Sequence, residues 1–273
     1  MGRKRLFFAM NKPIGIFDSG VGGLTVAEAV QNLLPGENLV YYGDTRNAPY
    51  GDKSAETIRR LSERITRFLL AKECKVVVVA CNTASALAFD HLRRRFPGVL
   101  LMNVIDPVIQ GVSTAHYRKV GVIATRGTIR SRVYHKRLLA QKANLTVVSK
   151  ATPLLAPLVE EGFAGTDISR GVMQRYLSAD FLTGLDALIL GCTHYPLLKD
   201  DLIALLGNEI AILDSSQWLA AALRDRLESE GILNHEGPGR QEFYLSEMTP
   251  AFRRISRLFF GRKRPLMELA LSG

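Results

Sequence analysis

Residues 76–80 read Val-Val-Val-Val-Ala, a β-branched run with no polar alternation. A strand with one wet face alternates, so this pattern belongs to a strand buried on both faces, as in a parallel sheet covered by helices. Shorter runs of the same kind start at Ile14, Leu39, Val120, Ala187 and Ile210, with further strand-like stretches at 99–104 and 145–148. Between them lie helical patterns at 24–34, 54–72, 84–95, 129–142, 167–182 and 217–230. Strand alternating with helix predicts an α/β protein. The rhythm restarts after Asp106-Pro107, which predicts two doubly wound α/β domains with mostly parallel sheets and a site in the cleft between them. The expected division is 1–104 plus 216–273, with the C-terminal segment returning to the first domain, against 105–215.

A chain of 273 residues that is 47% hydrophobic and 23% charged has material for such cores and is not a disordered sequence. No apolar run reaches the roughly 18 residues of a membrane helix. The apolar start at Leu6 stops at Asn11-Lys12, too short for a secretion signal. Three cysteines suit a reducing compartment rather than a disulfide framework. A cytoplasmic protein is expected. The net charge of +10 sits mainly at the ends: residues 1–17 carry +4, residues 237–273 another +4, and the middle only +2. Basic ends can hold polyanions weakly, but no zinc-finger spacing, RNP-like strand or basic-zipper pattern accompanies them. Nucleic acid is therefore not the expected main partner.

In open α/β sheets ligands gather beyond the carboxyl ends of the strands. Four polar clusters have that address: Asp18-Ser19, Pro49-Tyr50-Gly51, Cys81-Asn82-Thr83 and Cys192-Thr193-His194. The loop from Asp18 to Thr25 lacks the lysine of a P-loop and the spacing of G-x-G-x-x-G. It is either an anion-facing glycine turn or a plain strand-to-helix turn capped by Asp18. Cys74 has no polar neutral neighbour and reads as a small core residue. Cys81 and Cys192 each end an apolar strand and open a polar turn, where a thiol can become reactive. One per half suggests a pair facing each other across a cleft. His194 can serve Cys192 as base, orienter or donor to substrate, and no third or fourth ligand at a metal-site spacing accompanies it.

Ile14-Gly15-Ile16-Phe17-Asp18-Ser19-Gly20-Val21-Gly22-Gly23-Leu24-Thr25, Tyr42-Gly43-Asp44, Pro49-Tyr50-Gly51, Val79-Ala80-Cys81-Asn82-Thr83-Ala84-Ser85-Ala86, Ile129-Arg130-Ser131 and Gly191-Cys192-Thr193-His194-Tyr195-Pro196-Leu197 closely resemble, in order, the bacterial glutamate racemases. The resemblance spans about 14 to 260. It implies a cofactor-independent isomerase that interconverts L- and D-glutamate and supplies D-glutamate for peptidoglycan. By the same resemblance Cys81 and Cys192 are the two acid–base residues. Asp18, Ser19, Tyr50, Gly51, Asn82, Thr83, Thr125, Thr128, Thr193 and His194 form the substrate shell, with Asp18 and His194 assisting Cys81 and Cys192. Family members are often dimers, so a homodimer is possible. The leader Arg3-Lys4-Arg5 and the stretch from Gly261 onward depart from the pattern.

The chemistry of the residue types agrees. Racemisation takes an α-proton from one face and returns one to the other, which two facing thiols can do by exchanging thiol and thiolate roles. Three alternatives remain open from sequence: a racemase of a related amino acid such as aspartate, a Cys192–His194 hydrolase or acyl transferase, and a basic-tailed binding protein on an α/β scaffold.

Overall fold

The computed structural model describes residues 9–260 and 266–271. The leader Arg3-Lys4-Arg5 and residues 261–265 lie outside the described residues. In chain order the elements are β1 (Ile14–Asp18), α1 (Leu24–Leu33), β2 (Leu39–Gly43), α2 (Ala55–Ala71), β3 (Val76–Val79), α3 (Asn82–Leu87), α4 (Phe89–Arg95), β4 (Leu101–Asn103) and α5 (Ile105–Thr114). Then come β5 (Lys119–Ala124), α6 (Arg126–Ser131), α7 (Val133–Gln141), β6 (Thr146–Ala151), α8 (Leu155–Glu160), α9 (Asp167–Tyr176), α10 (Ala179–Leu182) and β7 (Ala187–Gly191). Last are α11 (Lys199–Leu206), β8 (Ala211–Asp214), α12 (Ser215–Ser229), β9 (Gln241–Leu245), α13 (Pro250–Phe260) and β10 (Leu266–Glu268).

The strands form two sheets, ordered β10-β9-β2-β1-β3-β4 and β6-β5-β7-β8. Every strand pair described is parallel. The unalternating Val76–Val79 run is explained by its surroundings: all four residues are fully buried. Val76 and Val78 pack with Ile14 and Ile16 into one core, while Val77 and Val79 pack with Phe17, Ile58, Leu61 and Ile65 into another. Gly15 faces Cys74 so closely that a Cβ there would lie 2.9 Å from its Sγ. Cys74 is a packing residue, and burial pushes its thiol up to about 12.

After α12 the chain runs alongside β2: β9 pairs with β2 in parallel, and α12 packs on both α1 and α5. Several elements depart from the pattern in the sequence. The stretch 84–95 is two helices broken at Ala88. The stretch 129–142 starts earlier and breaks at Arg132, which is left-handed at φ 56°. The stretch 167–182 is likewise two helices, α9 and α10. Helix α5 begins where Asp106-Pro107 suggests a break. Proline is tolerated in a first helical turn, and Asn103 Oδ1 accepts from the Ile105 and Asp106 amides to start the helix.

The strand order fixes where a site can form. From β1 the chain goes to β2 on one side and then crosses to β3 on the other, so the six-stranded sheet reverses between β1 and β3. The four-stranded sheet reverses in the same way between β5 and β7. A crevice opens at such switch points beyond the carboxyl ends of the strands. The residues there are Asp18 and Cys81 in one sheet, Thr125 and Cys192 in the other.

Candidate active site

The two switch points face each other. Thr193 Oγ1, just past β7, donates to Asp18 Oδ2 at the end of β1 (3.2 Å). Thr25 donates to the Thr193 carbonyl (3.2 Å), and the Gly127 amide donates to the Gly51 carbonyl (2.8 Å). Tyr134 Oη donates to Asn82 Oδ1 (2.6 Å). All four bonds join residues from opposite sheets. Glycine is what lets the loops come this near: a Cβ on Gly22 would lie 2.5 Å from Thr193 Oγ1, and one on Gly51 would lie 2.7 Å from Thr125 Cβ.

Cys81 directly precedes α3, and its Sγ donates to Ser19 Oγ (3.7 Å). It is buried, and desolvation together with the negative charge of Asp18 pushes its thiol up to about 12. Cys81 is therefore a thiol at neutral pH. Negative charge on Cys192 pushes in the same direction, so the two sulfurs sense each other across the cleft.

Cys192 has a different setting. Its Sγ lies 3.6 Å from His194 Nδ1, and His194 Nε2 lies 2.9 Å from Glu160 Oε1 at the end of α8. Burial disfavours the imidazolium, but its bonds to Cys192 and Glu160 and their negative charges outweigh this and hold His194 well above its usual 6.5. Burial likewise raises the Glu160 carboxyl, and the His194 bond overcomes it to leave the group below the carboxylate norm. The two sulfurs thus have different neighbours, the Ser19 hydroxyl and the buried Asp18 carboxylate for Cys81 and the Glu160-held imidazole for Cys192.

Asp18 is fully buried. Burial raises its carboxyl pKa, opposed by His194 charge and by bonds from Gly20, Gly23 and Thr193. Its Oδ1 accepts from the Gly20 amide (2.9 Å), so it shapes the glycine loop rather than capping α1, whose start at Gly23 has no side-chain cap. Thr83, Thr125 and Thr128 form a triangle of hydroxyls at 2.9, 3.3 and 3.1 Å, the first from one sheet and the others from the second. Asn82 is buried with its Nδ2 free of any protein partner. Tyr50 turns away: its hydroxyl donates to Asp44 Oδ2 (2.6 Å), which holds the 49–51 loop in place. Arg126 pairs with Asp52 at the surface (3.4 Å), so it contributes no clamp inside the cleft.

These contacts gather the residues singled out in the sequence where the two sheets meet, with Tyr50 bracing the 49–51 loop. Glu160, the partner of His194, is a neighbour of this cluster that the sequence did not disclose. It ends a six-residue helix containing Pro157, in a stretch without strand or helix periodicity. A cavity of 190 Å³ beside it is lined by Gly20, Ala48, Pro49, Glu160 and Phe252.

This arrangement defines a two-sided α/β class, with one thiol at the switch point of each sheet. Residues 24–223 match the sequence profile of the Asp/Glu/Hydantoin racemases, and the chain belongs to that family. It is 40% identical over 262 residues to glutamate racemase of Chlorobaculum tepidum, covering 95% of this chain and 96% of the relative. Among solved structures, glutamate racemase from Francisella tularensis in complex with D-glutamate superposes with a TM-score of 0.89 at 33% identity, covering 95% and 97% of the two chains. The Thermus thermophilus glutamate racemase, in complex with β-chloro-D-alanine, gives 0.87 at 39% identity, covering 96% and 98%.

Proposed function

We infer that this chain is a glutamate racemase acting by two-base proton exchange between Cys81 and Cys192. The observation that carries the reading is the position of the thiols: one at each switch point, where residues from the two sheets come into contact. With glutamate between them, the thiolate on one side takes the α-proton and the bond pair stays on Cα. The thiol on the other face then gives its proton to Cα and is left as thiolate. In the reverse direction the roles exchange.

The α-proton of an amino acid is weakly acidic, so donors around the α-carboxylate must stabilise the developing charge. The unpaired Asn82 amide and the backbone of the Asp18–Thr25 loop supply them in this reading. Ser19, Thr193 and Asp18 complete the α-carbon end, and the Thr83–Thr125–Thr128 hydroxyls and Gly51 the distal end. Closure excludes water, which strengthens each of these contacts. The reaction is proposed to need no cofactor, because acid and base are both side chains. D-glutamate made in the cytoplasm for peptidoglycan is the proposed role. The proposed division into domains, 1–104 with 216–273 against 105–215, follows the two sheets.

The test is incubation with L-glutamate in deuterated water without added cofactor. Loss of the circular dichroism signal with deuterium appearing at Cα is expected. A covalent acyl adduct on Cys192 without racemisation would instead mark a hydrolase.

A further inference from the structure

An asparagine side chain has one end that accepts and one that donates, and the two ends have nearly the same shape. Which end faces a bound anion decides whether the residue attracts or repels it. Asn82 is 2% exposed, and its Nδ2 has no protein partner. Its Oδ1 accepts from Tyr134 Oη at 2.6 Å. A phenol has a single hydrogen, and here Asn82 takes it.

Tyr134 is well placed to impose that orientation. It comes from α7, on the four-stranded side, whereas Asn82 opens α3 on the other. Its ring is 3% exposed and rests against Gly191, where a Cβ would lie 3.4 Å from Cε2. Gly191 precedes Cys192, so one aromatic ring abuts the strand end bearing one thiol while its hydroxyl reaches the residue after the other. Burial first, and then negative charge at Cys192, drive the phenol far above its usual range, so it stays a donor at every working pH.

We propose that Tyr134 is a positioning residue that holds the Asn82 amide with Nδ2 toward the substrate carboxylate when the two sheets close. The proposal rests on the glutamate racemase reading and deepens it. A carboxylate already carries its charge in the ground state, so most of a bond to it is binding whose loss appears in KM, while the extra charge that develops on it adds a smaller loss in kcat.

The experiment compares parent, Y134F, N82A and the Y134F/N82A double variant for racemisation of both glutamate enantiomers, with thermal unfolding of each. Y134F should raise KM about tenfold, the scale of one charge-assisted hydrogen bond, with a smaller change in kcat. In the N82A background the same change should alter KM by less than about twofold, because Tyr134 acts through Asn82. A role in packing alone would give equal factors in both backgrounds, and that result overturns the proposal, as does a Y134F protein with parental KM. If Y134F does not fold, N82D decides. It keeps an acceptor for Tyr134 but turns the site-facing donor into an anion, so KM should rise at least about tenfold. Unchanged KM there overturns the proposal. A folded parent that does not racemise glutamate would overturn the underlying reading instead.

Discussion

Nε2 of His194 lies 2.9 Å from Oε1 of Glu160, so a carboxylate on α8 holds the imidazole whose other nitrogen faces Cys192. The bond has a consequence for pH dependence. His194 has a folded-state pKa raised above 6.5, so its charged form is complete at low pH and is lost as pH rises through the raised value. Glu160→Gln removes one of the causes of that rise. The alkaline limb of the kcat/KM profile should therefore move to lower pH, and an unmoved limb would show that Glu160 does not tune His194.

The thiol pair predicts a pattern across three cysteines. Cys81→Ala and Cys192→Ala should each abolish nearly all racemisation, since one face then has no proton donor or acceptor. Serine at either position should leave a trace, because a hydroxyl is far harder to ionise. Cys74→Ala should keep parental turnover and lose some stability, as its sulfur fills the space against Gly15. Parental turnover by the Cys81→Ala protein would end the two-base mechanism.

How much of this was readable beforehand follows from where each signal resides. Val76–Val79 and Ala187–Gly191 were legible because double-faced burial leaves no polar residue in the strand. Cys81 and Cys192 were legible because the turn after such a strand changes character abruptly. Strand β9 opens with Gln241-Glu242 and shows no clear pattern until it pairs with β2. Glu160 and Tyr134 were hidden for a stronger reason. Their roles depend on partners 34 and 52 residues away, the first brought near by the folding of the four-stranded side and the second only when the two sheets face each other. No local pattern encodes such a contact.

Two glycines should respond oppositely to alanine. At Gly22 the new Cβ would meet Thr193 Oγ1 at 2.5 Å and His194 Nδ1 at 2.6 Å, wedging the cleft where its sides touch. A displacement of that kind costs on the order of 10²-fold in rate. Gly171, inside α9, has open space around its Cβ position. Its replacement should stabilise the protein by about 0.5–1 kcal/mol with activity unchanged. Kinetics and chemical denaturation of both variants check the contrast.

Away from the cleft, Glu63 ties α2 to α4 by accepting from Arg67, His91 and Arg95. The Arg67 and His91 bonds, with those of Arg95, lower its carboxyl pKa to about 2 against an unfolded value of 4.5. A depressed carboxylate contributes stability above its unfolded pKa and loses it as pH falls toward the folded value. Glu63→Gln should thus cost roughly 1 kcal/mol at pH 7, the scale of an ion-pair network near the surface, and almost nothing near pH 2. Urea denaturation at the two pH values measures the difference, and an equal cost at both would remove the charge from the explanation.

Substrate choice is expected to depend on the hydroxyl triangle of Thr83, Thr125 and Thr128, which spans both sheets at 2.9–3.3 Å. If the α-carbon is fixed between the two sulfurs, the distal carboxylate must reach this cage across the length of the side chain. Aspartate is one methylene shorter and cannot occupy both ends at once. One methylene is worth about 1–3 kcal/mol, so kcat/KM for aspartate should fall roughly 10–200-fold below that for glutamate. Glutamine has the right length but offers a neutral amide where charge-assisted bonds are made, and it should also be poor. No guanidinium compensates, since Arg126 is held outside by Asp52. Thr83→Ala should narrow the gap between glutamate and glutamine by removing one charge-assisted bond, leaving the sulfurs and the α-carboxylate contacts in place. Matched-concentration turnover of the three amino acids by parent and variant provides the measurement, and equal rates on aspartate and glutamate would refute the cage as the selector.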